Sequence, residues 1–186
     1  MAGVRKLQAA QTEAELKAAA VRVFARAGYL NTKITDITAE AGRATGSFYK
    51  HFASKEQLLE ALLRDLLAEG DESAAAAEHG DDFRDRETVL YHVRAYWDFY
   101  RRHGTVIDAL RQAATVDEEF ALRSQAMLKP DVRHIADHIA KTGAQDPYAL
   151  AEIFTALVST LAERWTDEES IETLTTFIHN GIRAGS

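Results

Sequence analysis

The chain has 186 residues, of which 46% are hydrophobic, and it contains two prolines and no cysteine. A chain of this length can bury a core of its own, and the lack of cysteine excludes disulfides, cysteine zinc sites and thiol nucleophiles. No apolar run approaches the roughly 18 to 20 residues that a membrane-spanning helix needs, and the first residues turn polar too early for a signal peptide. We therefore expect a cytoplasmic protein that has no membrane partner.

Charge is distributed unevenly along the chain, whose formal net charge is −7. Residues 1–55 hold nine Lys and Arg against four Asp and Glu, a net charge of +5, whereas residues 56–186 have a net charge of −12. A basic N-terminal head followed by an acidic body indicates two roles, with an anionic partner for the head.

Helical periodicity dominates the sequence, which predicts an all-α fold. The first helix is expected to start at Thr12, where Thr12-x-x-Glu15 matches a capping box, and to stop at Gly28. Two very short helices follow over residues 35–41 and 45–52, with a glycine-bearing turn between them. This arrangement predicts a helix-turn-helix.

A capping box at Ser54 predicts a fourth, leucine-rich helix that fades over residues 70–77, before a loop that reaches residue 82. An aromatic-rich helix is then expected over residues 86–103, closed by Gly104 and followed by a shorter helix over residues 105–115.

The next predicted helix begins at residue 117 and must bend or break before Pro130, because proline lacks an amide proton; its second half, residues 131–142, ends at Gly143. Asp146 and the following proline open a helix to about residue 165. A third capping box, Thr166-x-x-Glu169, opens a last helix that ends near residue 181.

Residues 28–58 carry the strongest motif, GYLNTKITDITAEAGRATGSFYKHFASKEQL. Its Gly-Tyr, Asp-Ile, Ala-Gly, Phe-Tyr and Ser-Lys-Glu-x-Leu pieces stand at fixed spacing, and here the sequence resembles the TetR family of bacterial transcription regulators. The resemblance implies a three-helix DNA-binding domain over residues 1–53. It also implies a helical effector-binding and dimerisation domain over residues 54–186, with the helix from residue 54 to about 70 connecting the two.

The predicted recognition helix has one apolar face, Phe48 and Phe52, that would seat it on its neighbours. The side chains left to face a DNA groove are Arg43, Thr45, Ser47, Lys50 and His51, and Arg43 is the candidate for bidentate reading of a guanine. The resemblance implies phosphate contacts from Thr32, Tyr49 and Lys55, and Lys33 completes the DNA-binding set. The open alternatives are that Tyr49 is a half-buried packing residue and that Lys55 is an ordinary solvated lysine.

An aromatic stripe on the helix from residue 86 predicts a pocket for a small, mainly apolar effector. The candidate lining residues are Val93, Tyr96, Trp97, Tyr100, Ile107, Leu110, Phe120, Met127 and Phe154. The alternative is that this stripe belongs to the hydrophobic core.

The last two helices are amphipathic, and the resemblance implies that they pair with a second copy as a four-helix bundle. The candidate interface residues are Ile153, Leu157, Leu161, Leu174, Phe177 and Ile178. A twofold dimer would read a palindromic operator. In the alternative, these helices only close the core of one subunit.

His134 and His138 stand four residues apart, with Asp131 and Asp137 nearby, so that one helix face could grip a divalent ion. The sequence has neither an HExxH glutamate nor cysteine ligands, and we expect a solvated helix surface with no metal and no cofactor.

The favoured function is a dimeric repressor that binds double-stranded operator DNA and is released by a small-molecule effector, without enzymatic activity. Two alternatives stay open. One is an enzyme that uses the histidines and carboxylates of the body as a metal-assisted centre. The other is a DNA-binding module that has no effector.

Overall fold

The computed structural model describes residues 2–76, 79–165 and 167–184. In this part of the chain every regular element is a helix, which confirms the predicted all-α fold. The helices are α1 (Ala2–Ala27), α2 (Ile34–Glu40), α3 (Thr45–Phe48), α4 (Lys55–Ala76), α5 (Arg86–Val116), α6 (Glu118–Ala140), α7 (Pro147–Leu161) and α8 (Glu168–Ala184). None of these helices combines the length and the apolar character needed to cross a lipid bilayer.

The chain forms two compact units. The first unit holds the described residues up to Leu67 together with Thr105–Gln125, and the second holds those of Ala68–Gly104 and Ala126–Ser186. This division does not coincide with the predicted domain boundary at residue 53, because α4, α5 and α6 each contribute residues to both units.

Helix α1 begins at Ala2, so the predicted start at Thr12 is wrong. The residues before Thr12 are mostly Ala, Leu, Lys, Arg and Gln, all of which favour helix. The Thr12 hydroxyl donates to the carbonyl of Gln8 at 2.9 Å, as a threonine inside a helix does. The predicted stop is confirmed: Gly28 has a φ of +72°, in the left-handed region that glycine adopts readily.

Helices α2 and α3 pack against each other and confirm the predicted helix-turn-helix. Gly42, at a φ of +62°, turns the chain between them, and the amide of Arg43 donates to the Thr38 carbonyl at 2.8 Å. Helix α3 ends at Phe48 and not at residue 52, because the chain continues as a turn in which the amide of His51 donates to the Phe48 carbonyl at 2.9 Å.

Helix α4 begins one residue after Ser54, whose hydroxyl accepts a hydrogen bond from the Gln57 amide at 3.2 Å. The Gln57 side chain reaches back to the amide of Ala53 and not to that of Ser54. The helix continues through Gly70 to Ala76, so the expected loss of helix over residues 70–76 is wrong; residue 77 lies outside the described residues.

Two predicted breaks are wrong. Gly104 lies inside α5, which runs unbroken from Arg86 to Val116, and Pro130 lies inside α6. Proline removes only one backbone hydrogen bond from a helix, whereas α6 buries Phe120 on one side of Pro130 and Ile135 on the other. Burial on both sides of each residue therefore outweighs the local cost of glycine or proline.

The last two helices start close to the predicted positions. Asp146 caps α7 by accepting from the Ala149 amide at 3.0 Å, with proline at the first helical position, and the helix ends at Leu161 instead of residue 165. The predicted cap Thr166 lies outside the described residues, and Asp167 accepts from the Ser170 amide at 2.8 Å at the start of α8. Helix α8 continues beyond residue 181 to Ala184, so its predicted end is wrong.

The second unit has one hydrophobic core, to which α5, α6, α7 and α8 all contribute. Trp97, Phe83 and Phe154 are among its largest buried side chains, and Ile135 and Ile139 join them from α6. This core positions the remaining side chains of α5 and α6 that are discussed below.

Candidate nucleic-acid interface

The outer surface of the helix-turn-helix carries a polar and aromatic group of side chains. Tyr49, at the end of α3, is 58% exposed, whereas Phe48 beside it is fully buried. The two rings make a T-shaped contact with centroids 5.6 Å apart, which orients Tyr49 outward. The interpretation of Tyr49 as a half-buried packing residue is therefore wrong.

Arg43, in the turn before α3, is paired with Glu15 of α1. Its Nε atom donates to Glu15 Oε2 at 3.0 Å, and its Nη2 atom donates to the same oxygen. The hydrogen bond from Arg43 lowers the pKa of the Glu15 carboxyl. Both residues are partly exposed, so the guanidinium can exchange this carboxylate for another acceptor at modest cost.

Lys55 and Thr32 have inward hydrogen bonds that the sequence did not predict. Lys55 Nζ donates to the carbonyls of Tyr29 at 2.7 Å and Thr32 at 2.9 Å, and lies 4.0 Å from the centroid of the Tyr29 ring. The Thr32 hydroxyl donates to the Gly28 carbonyl at 2.7 Å, and burial lowers the pKa of Lys55. The interpretation of Lys55 as an ordinary solvated lysine is wrong, because it holds the α1–α2 loop against the start of α4. The phosphate contacts predicted for Lys55 and Thr32 stay predictions.

Tyr29 completes this loop contact. Its hydroxyl donates to Glu56 Oε1 at 2.6 Å, and burial, together with that carboxylate, raises the pKa of the phenol. Tyr29 is 2% exposed. The entrance to α2 is thus fixed from α4, which explains how a head with such short helices keeps its geometry.

The other residues predicted to contact DNA differ in their exposure to solvent. Lys33, Thr45 and Lys50 are exposed, and in the described part of the chain neither lysine has an acidic partner. Ser47 is half-buried. His51 keeps only 13% of its side chain exposed, with Nδ1 3.9 Å from Glu13 Oε2, so it faces α1 more than solvent.

The predicted effector residues are divided between the two units. Val93, Trp97 and Phe154 are buried in the core of the second unit, with Tyr96 and Tyr100 packed against that core. Met127 is half-buried in the same unit, while Ile107, Leu110 and Phe120 belong to the first unit. Val93, Trp97 and Phe154 therefore fit the alternative in which the stripe is core.

A titratable group accompanies the aromatic residues of the second unit. Burial, with the charge of Asp71, raises the pKa of Asp131 to about 6. The Asp131 charge in turn contributes, after burial, to raising the pKa of Tyr96. The sequence did not predict this acidic group beside Tyr96, because its pattern relates Asp131 only to His134.

The six predicted interface residues also separate into two groups. Leu174 and Ile178 are 2% and 6% exposed and belong to the core of the second unit, so their assignment to a surface that meets a second copy is wrong. Ile153 on α7 and Phe177 on α8 are 54% and 65% exposed. Leu157 and Leu161 lie between these extremes, half-buried against the core.

The second unit contains a cluster of four histidines, of which the sequence indicated only two. His134 and His138 of α6 are joined by His92 of α5 and by His79, which precedes α5. One ring nitrogen from each lies within 4.8 Å of the others. The expectation of a solvated surface is wrong for His138, which is 7% exposed.

The N-terminal part of the chain is similar in sequence to known regulatory proteins. Residues 16–62 match the model described as bacterial regulatory proteins, tetR family. The transcriptional repressor NicS of Pseudomonas putida is 32% identical over 109 residues, which make up 58% of this chain but only 50% of NicS. The matched region thus spans half the length of that relative.

Solved structures extend the likeness to the whole fold. A regulatory protein of the tetR family from Rhodococcus RHA1 superposes with a TM-score of 0.72 at 19% identity, covering 94% of this chain and 97% of that one. AibR, solved with isovaleryl coenzyme A and operator DNA, superposes with a TM-score of 0.68 at 19% identity, covering 94% of this chain and 100% of its own.

Proposed function

Because the chain belongs to the TetR family of bacterial regulatory proteins, we propose that it is a DNA-binding transcriptional regulator that acts as a repressor. The observation that carries the proposal is the exposed surface of the helix-turn-helix, where Tyr49 and Lys50 project beside a fully buried Phe48. Such an arrangement suits insertion of a short helix into the major groove of a duplex.

The proposed contacts fall into two classes. Lys33, Tyr49 and Lys50 bind phosphates and supply affinity on any sequence, since phosphate contacts carry no sequence information. Arg43 reads a base edge after leaving Glu15, and Thr45 lies beside it at the start of α3. When Arg43 exchanges the Glu15 carboxylate for a guanine edge, its guanidinium keeps hydrogen-bond acceptors, and the partly exposed Glu15 carboxylate is left to the solvent.

We further propose that two copies bind a palindromic operator. The support is the exposure of Ile153 on α7 and Phe177 on α8, two helices that pack on each other. An apolar surface on adjacent helices suits a twofold bundle, in which the same patch serves both subunits. Leu157 and Leu161 border this patch from α7.

The effector is proposed to be a small, largely apolar molecule that binds the second unit beside Tyr96 and Tyr100. These two tyrosines are half-buried at the edge of the core, so they offer apolar ring surface together with hydroxyl groups. An effector releases DNA only if it binds the DNA-incompatible conformation more tightly, and such coupling is typically about 1–3 kcal/mol.

The decisive experiment is selection of double-stranded sites from random duplexes with the full chain, followed by fluorescence anisotropy on the selected site. Lys50→Ala should reduce the magnitude of the negative slope of log affinity against log salt by about 0.9 per subunit, or about 1.8 for the proposed dimer, as each subunit neutralises one fewer phosphate. The matched control is Lys17→Ala, because Lys17 pairs with Glu13 and Asp65 and should leave the slope unchanged.

Two outcomes would contradict the proposal. The first is that no duplex is bound in preference to random competitor at moderate salt. The second is that Lys17→Ala and Lys50→Ala change the salt slope equally, which would mean that the basic head binds DNA diffusely and not through the surface around α3.

A further inference from the structure

We propose that His79, His92, His134 and His138 bind one divalent transition-metal ion, zinc being the ion that this set suits best. All four residues lie in the second unit. The proposal does not depend on the regulatory function, since it concerns a separate group of side chains and is tested by metal binding alone.

The geometry of the cluster is close to that of a tetrahedral site. One ring nitrogen from each histidine lies within 4.8 Å of the others. Ligand nitrogens at about 2.0–2.1 Å from a zinc ion in a tetrahedron are roughly 3.3 Å apart, so rotamer shifts of the order of 1 Å would close the cluster on an ion. The rings of His134 and His138 are already 4.5 Å apart between centroids, and those of His92 and His138 are 4.8 Å apart.

A contact with the backbone fixes the tautomer of His92 that can bind a metal ion. Its Nδ1 atom lies 2.8 Å from the Thr88 carbonyl, which can only accept, so this nitrogen carries the proton. The lone pair is therefore on Nε2, which is buried and has no hydrogen-bond partner among the described residues. A carbonyl that fixes the tautomer and orientation of a histidine is the usual outer partner of a metal ligand.

A second nitrogen in the cluster is unsatisfied in the same way. His138 is 7% exposed, and its Nδ1 atom has no hydrogen-bond partner in the part of the chain that the structure describes. A buried polar atom without a partner costs free energy, and two such atoms on adjacent, perpendicular rings need an explanation. One bound ion would satisfy both, whereas stacking of the rings alone would satisfy neither.

The chemistry of the four side chains also suits a transition-metal ion. Neutral imidazoles favour zinc, copper and nickel over magnesium or calcium, which prefer oxygen ligands.

Aromatic rings pack against two of the four histidines and would help to order the site. The Phe83 ring lies 5.1 Å from that of His92, and the Tyr91 ring stacks on His79 at 4.7 Å. The four ligands come from α5, from α6 and from the segment between α4 and α5, so the ion would join three separate segments of the chain. A closed site of four protein ligands is typical of structural zinc.

The experiment is a calorimetric titration of the full chain, freed of any histidine tag and treated with chelator, with zinc chloride at neutral pH. We expect one zinc ion per chain and a higher melting temperature in the presence of zinc. His134→Gln is the main variant, because His134 is exposed and its replacement leaves the core intact. We expect it to lower zinc affinity more than about 100-fold, since loss even of an outer-shell partner costs 10- to 100-fold.

Two further variants complete the design. His92→Gln should also abolish tight binding, and circular dichroism of the metal-free variant checks that it folds; if it does not fold, His134→Gln alone decides. His103→Gln is the matched control, since His103 lies on α5 like His92 but pairs with Glu69 outside the cluster. Unchanged zinc affinity in His134→Gln, equal loss in His103→Gln, or absence of any zinc-dependent rise in melting temperature would each overturn the proposal.

Discussion

Replacement of Phe177 by alanine provides the sharpest test of the proposed subunit interface. Fully burying a phenylalanine side chain is worth about 1.5–3 kcal/mol. Because Phe177 is 65% exposed in the single chain, about two thirds of that gain, roughly 1–2 kcal/mol, is still available to an interface. A twofold interface uses the residue twice, so Phe177→Ala should weaken the dimer by about 2–4 kcal/mol.

This free energy corresponds to a rise of roughly 30- to 1,000-fold in the dissociation constant of the dimer. Sedimentation equilibrium over a range of protein concentrations measures that constant directly. Phe177→Asp should have a larger effect, because it also places a charge in an apolar seam. For either variant, the circular dichroism spectrum should stay that of the parent chain.

Leu174→Ala is the matched control on the same helix, one turn before Phe177. Leu174 is 2% exposed within its own subunit, so its truncation should lower the free energy of unfolding by about 2–5 kcal/mol through loss of packing. The dimer constant should not change directly. The reasoning would be refuted if Phe177→Ala dimerised as tightly as the parent, or if Leu174→Ala separated the subunits without lowering stability.

Three further predictions address the DNA surface and the second unit. Tyr49→Phe should weaken binding on every duplex alike, by about 1.5–3 kcal/mol, because it removes a hydrogen bond to a charged phosphate; anisotropy on several sites checks this. Arg43→Ala should weaken the selected site most, by about 1–3 kcal/mol, and equal losses on single-base variants of that site would refute base reading. Asp131→Asn should raise the melting temperature at pH 7.5 but not at pH 4. The pKa of Asp131 in the folded chain, about 6, lies above the ordinary value of 3.8. The stability that the protonated carboxyl contributes is therefore fully present below pH 3.8 and is lost as the pH rises through 6, whereas asparagine stays neutral throughout. After allowance for solvent screening the gain is about 1–2 kcal/mol, and Asp137→Asn, exposed on the same helix, should show none.

The elements that the sequence predicted well are those with a local physical cause. Gly28, Gly42 and Gly143 all have a positive φ, and each was expected at the end of a helix or in the turn. Asp146 accepts the amide hydrogen bond that its position before a proline indicated. In each case a side chain, or its absence, acts on the adjacent backbone, so neighbouring residues suffice for the prediction.

The failures arise where distant packing outweighs a local preference. Gly104 and Pro130 were expected to interrupt helices, but both helices continue because residues on either side of each are buried. The same limit applies to α8, where Leu174, Phe177 and Ile178 are all apolar. Periodicity shows that such a helix has a wide apolar surface, but it does not show which part faces the core of its own subunit.

The histidine cluster likewise contains residues that the sequence could predict and residues that it could not. His134 and His138 could be found from the sequence, because a spacing of four places two side chains on one helix face. His92 could not, since the aromatic helix also carries His103 and no local pattern distinguishes the two. Their difference lies in the tertiary surroundings: His92 contacts the Thr88 carbonyl through Nδ1 and has a buried Nε2 with no hydrogen-bond partner among the described residues, whereas His103 pairs with a carboxylate. A bare, buried nitrogen is costly in an empty cluster and useful in an occupied one, and this asymmetry makes metal binding the physical explanation for four histidines that meet from three separate segments.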